Sequence, residues 1–272
     1  MVIQHNMQAM NANRNLGVVT SQQGKSTEKL SSGYRINRAA DDAAGLSISE
    51  KMRGQIRGLT QASTNAQDGI SLIQTAEGAL NETHAILQRM RQLAVQSAND
   101  TYLTEDRTAI KEEIDQLTSE IDRIATTTQF NKMCLLDGTF SGKQLQIGAN
   151  ENQTMSISIS SLKAESLATG FKSMNLTSAT GAGSAITTLD AAISYVSKQR
   201  GKLGAIQNRL EHTIANLDTS AENLQASESR IRDVDMAEEM VTYSKNNILQ
   251  QAAQSMLAQA NASTQGVLSL LQ

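Results

Sequence analysis

The chain of 272 residues contains no proline and no tryptophan, and aromatic residues make up only 3% of it. Because proline interrupts helix interiors, its absence permits helices of unusual length. The scarcity of aromatic residues argues against a compact enzyme core of the ordinary type, since aromatic side chains dominate the energetics of such cores. The residues that are prominent instead, Ala, Gln, Leu, Ile, Met and Ser, are typical of packed helices.

Cysteine, excess charge and long apolar runs are also scarce. Cys134 is the single cysteine, so no intramolecular disulfide can form, and we expect it to be a small buried apolar residue. A net charge of −3 argues against nucleic acid as a partner, because phosphate binding requires a basic surface. No apolar run approaches the length of a membrane span. The N-terminal residues lack the basic and apolar regions of a cleavable signal peptide, so we expect none.

Charge is nearly missing from both ends. The last 27 residues, from Asn246, contain no Asp, Glu, Lys, Arg or His, and the first 24 carry one formal charge, Arg14. A disordered tail would be charged and poor in Leu, Ile and Met, whereas these ends are periodically apolar. We therefore expect the ends to be buried among copies of the same chain. The candidate residues of this assembly seam are Ile3, Met7, Met10, Ile248, Ala252, Met256, Val267 and Leu270.

A long helix is predicted from about Asp42 to Asn99. Its apolar positions recur at steps of three and four residues, the spacing of a coiled-coil seam, and such a helix would be about 85 Å long. The carboxylates of Asp41 and Asp42 are interpreted as capping groups at its start. The seam residues are Met52, Ile56, Leu59, Ser63, Ala66, Ile70, Ile73, Ala76, Leu80, Thr83, Leu87, Met90 and Ala94.

Two further helices are predicted to pack against this one. After a break at 99–104, Thr104 is a plausible N-cap for a second helix that folds back beside the first. Residues 138–184 lose the helical period, and alternating apolar residues on either side of 148–152 predict a β-hairpin. The Gly- and Ser-rich stretch from Thr177 to Ser184 is expected to be a connector before a third long helix.

The expected fold class is therefore mainly α, a long antiparallel helical bundle or coiled-coil rod with a small β-hairpin region near the chain middle. Two domains are expected. Residues 1–42 with 232–272 form a terminal coiled-coil domain, and residues 43–231 form a helical bundle that includes the β region at about 138–184.

Several long motifs, in order, resemble the signatures of bacterial flagellins. They cover about residues 1–140 and 185–272. The matching segments are LSSGYRINRAADDAAGL at 30–46, LQRMRQLAVQ at 87–96, QFNK at 129–132 followed by LLDG at 135–138, SRIRDVDMAEE at 229–239 and ANASTQGVLSLL at 260–271.

The resemblance implies a structural subunit that self-assembles into the extracellular flagellar filament for swimming motility. In this family the terminal segments form an inner tube of the filament and the next helices an outer tube. The family's subunits are exported unfolded through the flagellar type III apparatus, and a chaperone holds the C-terminal segment before export. Hook-junction and cap proteins are further implied partners.

The resemblance also implies recognition by Toll-like receptor 5 of a host. Carried over by motif, the receptor-contact candidates are Arg89 and Leu93 on the first long helix and Glu113 on the second. Arg89 and Leu93 are four residues apart and so should share one helix face. Gln92 departs from the motif, in which Glu is common.

Two other functions are weighed against the filament subunit. A hook–filament junction protein shares the terminal design, and a low number of copies per cell would favour it. An enzyme or adhesin would have to use the middle region, which is small and has no catalytic groups. We expect no catalytic site, no cofactor and no metal site, because His5, His84 and His212 are scattered and no zinc-protease motif is present.

Overall fold

The computed structural model describes the backbone of residues 6–269 and the side chains of residues 6–263. The chain forms α1 (Met7–Ser32), α2 (Ala43–Ser97), α3 (Thr104–Thr127), β1 (Gln129–Phe130), β2 (Met133–Cys134), β3 (Lys143–Gln146), β4 (Thr154–Ile157), α4 (Ala164–Leu167), a 3₁₀ turn (Phe171–Ser173), α5 (Ala179–Arg232) and α6 (Met236–Ser269). The predicted fold class, mainly helical with a small β-hairpin in the middle, is confirmed.

The chain divides into two compact units. The terminal unit comprises residues 1–55 and 222–272, and the central unit comprises residues 56–221. Helices α2 and α5 each contribute to both units, since the divisions fall within them.

The core of the central unit lies between α2, α3 and α5. Most seam positions predicted for α2 are fully buried there, including Ala66, Ile73, Leu80, Leu87 and Met90. The side chains that pair α2 with α5 show that the two helices are antiparallel. The pairs are Ser63 with Asp218, Glu77 with Arg200, and Arg91 with Asp190.

The predicted hairpin consists of β3 and β4, which pair antiparallel with Leu145 opposite Met155. Met155 and Ile157 lie in the core, while Thr154 and Ser156, which alternate with them, are exposed. The hairpin packs on α2, where the Asn65 amide donates to the Gln146 carbonyl over 3.1 Å. Strands β1 and β2 form a second hairpin, whose turn places Asn131 and Lys132 at positive φ.

Three local predictions require correction. Thr104 is the first residue of α3, not its cap; the N-cap is Leu103, whose N–H donates to the Asp106 carboxylate over 3.1 Å. Helix α5 begins at Ala179, inside the predicted connector. Cys134 is half-buried, and its thiol donates to the Thr126 carbonyl.

Candidate functional site

In the terminal unit, α1 and α6 pack together along a seam of mostly small or polar residues. These residues recur at steps of three and four on both helices, as in a coiled coil. The seam consists of Ala9, Ala12, Leu16, Val19, Gln23, Ser26 and Leu30 on α1, and Glu239, Tyr243, Asn246, Gln250, Ala253, Leu257 and Ala260 on α6.

Polar contacts hold both ends of this pair. Asn6 caps α1 by accepting from the Ala9 N–H, and its amide donates to the Ala260 carbonyl over 2.9 Å. Lys29 Nζ lies 3.4 Å from Glu239 Oε2 near the other end. Within the seam only Ser26 and Asn246 are fully buried, so the two helices cover each other incompletely.

Large apolar side chains lie exposed on both helices outside the seam, and we call this set the outer face. On α1 they share one side of the helix, opposite the seam; on α6 they spread over much of the remaining circumference. Met7, Ile248 and Met256 are each more than 60% exposed. The outer face consists of Met7, Met10 and Val18 on α1, and Met236, Met240, Val241, Ile248, Leu249 and Met256 on α6.

The described residues of the predicted assembly seam lie on or beside the outer face and not in the packed seam. Met7, Met10, Ile248 and Met256 belong to the outer face, and Ala252 is exposed beside them. Ile3 and Leu270, and the side chain of Val267, lie outside the described residues.

An open groove of about 530 Å³ runs between α1 and α6 near their terminal ends. Its lining is made of alanines, amides, Met256 and Ser263, with no charged side chain. Amide groups can donate and accept hydrogen bonds without the desolvation cost of a charge. The groove is therefore suited to another uncharged helix and not to an ionic ligand.

The connections at the other end of the terminal unit form a polar junction that sequence reasoning missed. The Arg35 N–H donates to the Arg232 carbonyl over 2.7 Å, and the Val234 N–H donates to the Gly33 carbonyl over 3.0 Å. The Arg232 guanidinium lies 4.7 Å from the centroid of the Tyr34 ring. These bonds tie the end of α1 to the break between α5 and α6.

The loop that leads from this junction into α2 is ordered by two adjacent carboxylates. The Asp41 carboxylate accepts from the backbone N–H groups of Arg38 and Asn37, which hold its pKa below the usual value. The Asp42 carboxylate accepts from the Gly45 N–H over 2.8 Å. The interpretation as a capping group is confirmed for Asp42, whereas Asp41 bonds to the preceding loop and not to the first turn of α2.

The receptor-contact candidates lie in the central unit. Arg89 Nη2 is 2.9 Å from Glu113 Oε1, so the predicted return of the second helix beside the first is confirmed. Both side chains are about half exposed. Leu93, by contrast, is a core residue with 2% exposure, so its side chain does not lie at the surface beside Arg89.

Other site chemistry is not found in the part of the chain that the structure describes. No group of three or more His, Cys, Asp and Glu side chains there is placed to hold a metal ion. Within residues 6–269, no helix is both long and apolar enough to span a membrane.

Comparison with known proteins decides the family. The models of the bacterial flagellin N-terminal helical region and C-terminal helical region match residues 3–141 and 186–271. A flagellin of Halalkalibacterium halodurans is 58% identical over 271 residues, which cover the whole of both chains. The chain belongs to the bacterial flagellin family. A flagellar filament 33 kDa core protein of Treponema phagedenis is 54% identical over 285 residues, again over the whole of both.

Membership of the flagellin family makes the chain a structural protein of the flagellar filament, not an enzyme. Among solved structures, a putative flagellar hook-associated protein from Vibrio parahaemolyticus matches with a TM-score of 0.60. The match covers 71% of this chain and 100% of that one at 12% identity. At this identity the likeness concerns the fold alone and does not favour the junction protein over the filament subunit.

Proposed function

We propose that the chain builds the filament by burying the outer face of α1 and α6 against other copies of itself. The observation that carries the proposal is the exposure of nine large apolar residues on two helices, of which α6 has no charged residue from Asn246 onward and α1 has only Arg14 before Lys25. Monomeric proteins rarely expose large contiguous apolar patches, and those that do generally use them for association. A second copy offers a mainly apolar surface of the same kind to cover them.

A single charge on the outer face tests this proposal. Ile248→Glu should raise the protein concentration needed for filament formation at least roughly tenfold over the wild type. The reason is that burying an unpaired carboxylate is costly. Assembly is measured by sedimentation and electron microscopy. Deletion of residues 246–272 should have the same effect.

The matched control is Asn150→Glu, which adds the same charge at an exposed position in the turn between β3 and β4. It should assemble like the wild type. Filaments of Ile248→Glu at wild-type concentrations would contradict the proposed role of the outer face.

The proposal includes the route to the filament. The chain is exported unfolded through the flagellar type III apparatus to the extracellular filament, and a chaperone covers its C-terminal segment before export. The exposed apolar residues of α6 support this role, since an uncovered surface of this kind promotes premature association. Hook-junction and cap proteins are the further partners at the two ends of the filament.

A second proposed role is recognition by Toll-like receptor 5 through Arg89 and Glu113. Two observations support this role. The surrounding motif resembles that of the family, and the two side chains form an exposed ion pair between neighbouring helices. Leu93 would support this surface from the core and not by direct contact.

The double variant Arg89→Ala with Glu113→Ala tests the receptor site. We expect affinity for the soluble receptor ectodomain to fall roughly tenfold or more, as for central interface residues. Helix content measured by circular dichroism should stay unchanged, since exposed ion pairs contribute under about 1 kcal/mol. Glu120→Ala with Arg123→Ala removes another exposed pair on α3 and should retain affinity. Equal affinities for the two double variants would reject Arg89 and Glu113 as contacts.

A further inference from the structure

Methionine dominates the outer face. The chain has 11 methionines, and five of them, Met7, Met10, Met236, Met240 and Met256, are among the nine exposed residues that make up this face. Met90 and Met155 lie in the core of the central unit instead. The unassembled chain thus presents nearly half of its methionine sulfurs on one pair of helices.

The thioether is the oxidisable group of this surface. The single cysteine lies in the central unit, and the chain has no tryptophan. A hydroperoxide oxidises methionine in one balanced step. A sulfur lone pair attacks the peroxide, the O–O bond breaks, an S–O bond forms, and the departing oxygen takes up the peroxide proton as water or an alcohol. The sulfur loses two electrons and the peroxide gains them.

We propose that these five methionines form a redox-sensitive modification site, whose conversion to sulfoxide by hydroperoxides blocks assembly of the free subunit. The inference rests on the proposed function, since it concerns the same outer face. Oxidation turns a flexible apolar side chain into a polar and chiral one and disrupts methionine-rich interfaces. Methionine sulfoxide reductases reverse the reaction, so the block is reversible.

The neighbours of the methionines make the sulfoxide costly to bury. Val18, Val241, Ile248 and Leu249 complete the outer face and have no hydrogen-bond donor, whereas Arg14, Lys245 and the groove amides beside Met256 can donate. The penalty therefore arises where a second copy packs its apolar side chains against the sulfoxide. A sulfoxide oxygen packed among such side chains loses its water without a replacement. Before oxidation the same positions favour association, since methionine adapts its shape to irregular contacts.

Assembly changes the exposure of the sulfurs and therefore their reactivity. A methionine buried between copies is shielded from peroxide, as Met90 is in the core of a single chain. The site thus acts on subunits before they join a filament, and a finished filament should resist the same treatment.

The experiment exposes the purified full-length chain and preformed filaments to hydrogen peroxide. Peptide mass spectrometry measures sulfoxide at each methionine, and sedimentation measures the critical concentration of assembly afterwards. In the free chain, the five outer-face methionines should oxidise at least about tenfold faster than Met90 and Met155. The critical concentration should rise by about tenfold or more, because burying an unsatisfied polar group costs free energy and each tenfold change in affinity corresponds to about 1.4 kcal/mol. The five methionines should be protected in the filaments.

Two controls separate oxidation of the outer face from damage elsewhere. The variant with all five methionines changed to leucine keeps side-chain volume and should assemble after peroxide treatment as before it. Met133→Leu removes an exposed methionine of the central unit and should remain as sensitive as the wild type. Reductase treatment of the oxidised wild type should restore its assembly, which tests the inference without any substitution.

Normal assembly of the wild type after oxidation of all five methionines would overturn the inference while leaving the proposed function intact. Equal loss of assembly in the five-leucine variant would also overturn it. Failure of the untreated wild type to form filaments would refute the proposed function, and the inference with it.

Discussion

At the scale of single residues, Asp42 holds the start of the longest helix. Its carboxylate accepts from the Gly45 N–H, and a Cβ added at Gly45 would lie 2.4 Å from Asp42 Oδ2, so a larger residue there would displace the carboxylate. The bond satisfies one of the backbone donors that every helix leaves free in its first turn.

Asp42→Ala should destabilise the chain by about 1 kcal/mol, the usual cost of losing an N-cap side chain. The change should lower the midpoint of thermal unfolding followed by circular dichroism. Asp68→Ala makes the same substitution at an exposed interior position of α2, where alanine is the better helix former, and should be neutral or slightly stabilising. Equal melting of the two variants would mean that the cap contributes nothing.

Single residues also mark the limits of reasoning from spacing. A separation of four places two side chains on one helix face, but Arg89 and Leu93 differ completely in exposure. Arg89 lies at the edge of the face, where its long stem carries the guanidinium to water, whereas Leu93 points into the core. At α3, Thr104 has a side chain typical of an N-cap, yet it is the first helical residue and Leu103 is the N-cap. The capping hydrogen bond there runs from the Leu103 N–H to the Asp106 carboxylate.

At the scale of elements, two glycines let the β3–β4 hairpin approach α2. A Cβ at Gly58 would lie 2.8 Å from Ala149 Cβ, and one at Gly69 would lie 2.5 Å from Leu145 Cδ2. Gly78, farther along the same helix, has open space around it. The first two glycines have a packing reason, and the third only weakens the helix.

Alanine substitutions should therefore have opposite effects along α2. Gly78→Ala should stabilise the chain by roughly 0.5–1 kcal/mol, because glycine costs about that much in a helix interior. Gly58→Ala should destabilise it, because the backbone at Ala149 must move. Urea unfolding of both variants measures the sign, and stabilisation by Gly58→Ala would contradict the close packing of the hairpin.

The long elements followed directly from the sequence, and the boundaries next to glycine did not. A seam repeated over many turns in α2 leaves little ambiguity, as does the alternation in β3 and β4. The glycines at 181 and 183 favoured a connector, but both lie inside α5. Glycine fits position 181 because a Cβ there would lie 2.4 Å from the Asn175 carbonyl oxygen. The N–H of Gly181 donates to the Ser178 hydroxyl, which helps to start the helix.

At the scale of the whole molecule, the absence of proline predicted the helical class. The absence of charge predicted that the two ends are buried among copies of the chain. These absences did not reveal which side of α1 and α6 would be paired within the chain. Larger apolar residues marked Met7, Met10 and Ile248 as candidates for contact between copies, and within the chain the two helices pack through other positions. The choice depends on the fit between two helices, which one sequence pattern does not contain.

The lack of charge on α6 from Asn246 onward, where Ile248, Leu249 and Met256 lie, has a consequence for the conditions under which copies attract each other. Ionic strength screens charged contacts but has little to act on here. Attraction between apolar surfaces weakens on cooling and strengthens with sulfate or phosphate salts, which are excluded from protein surfaces. Association of these ends should therefore depend strongly on temperature and on which salt is present. At low salt concentration it should depend little on ionic strength.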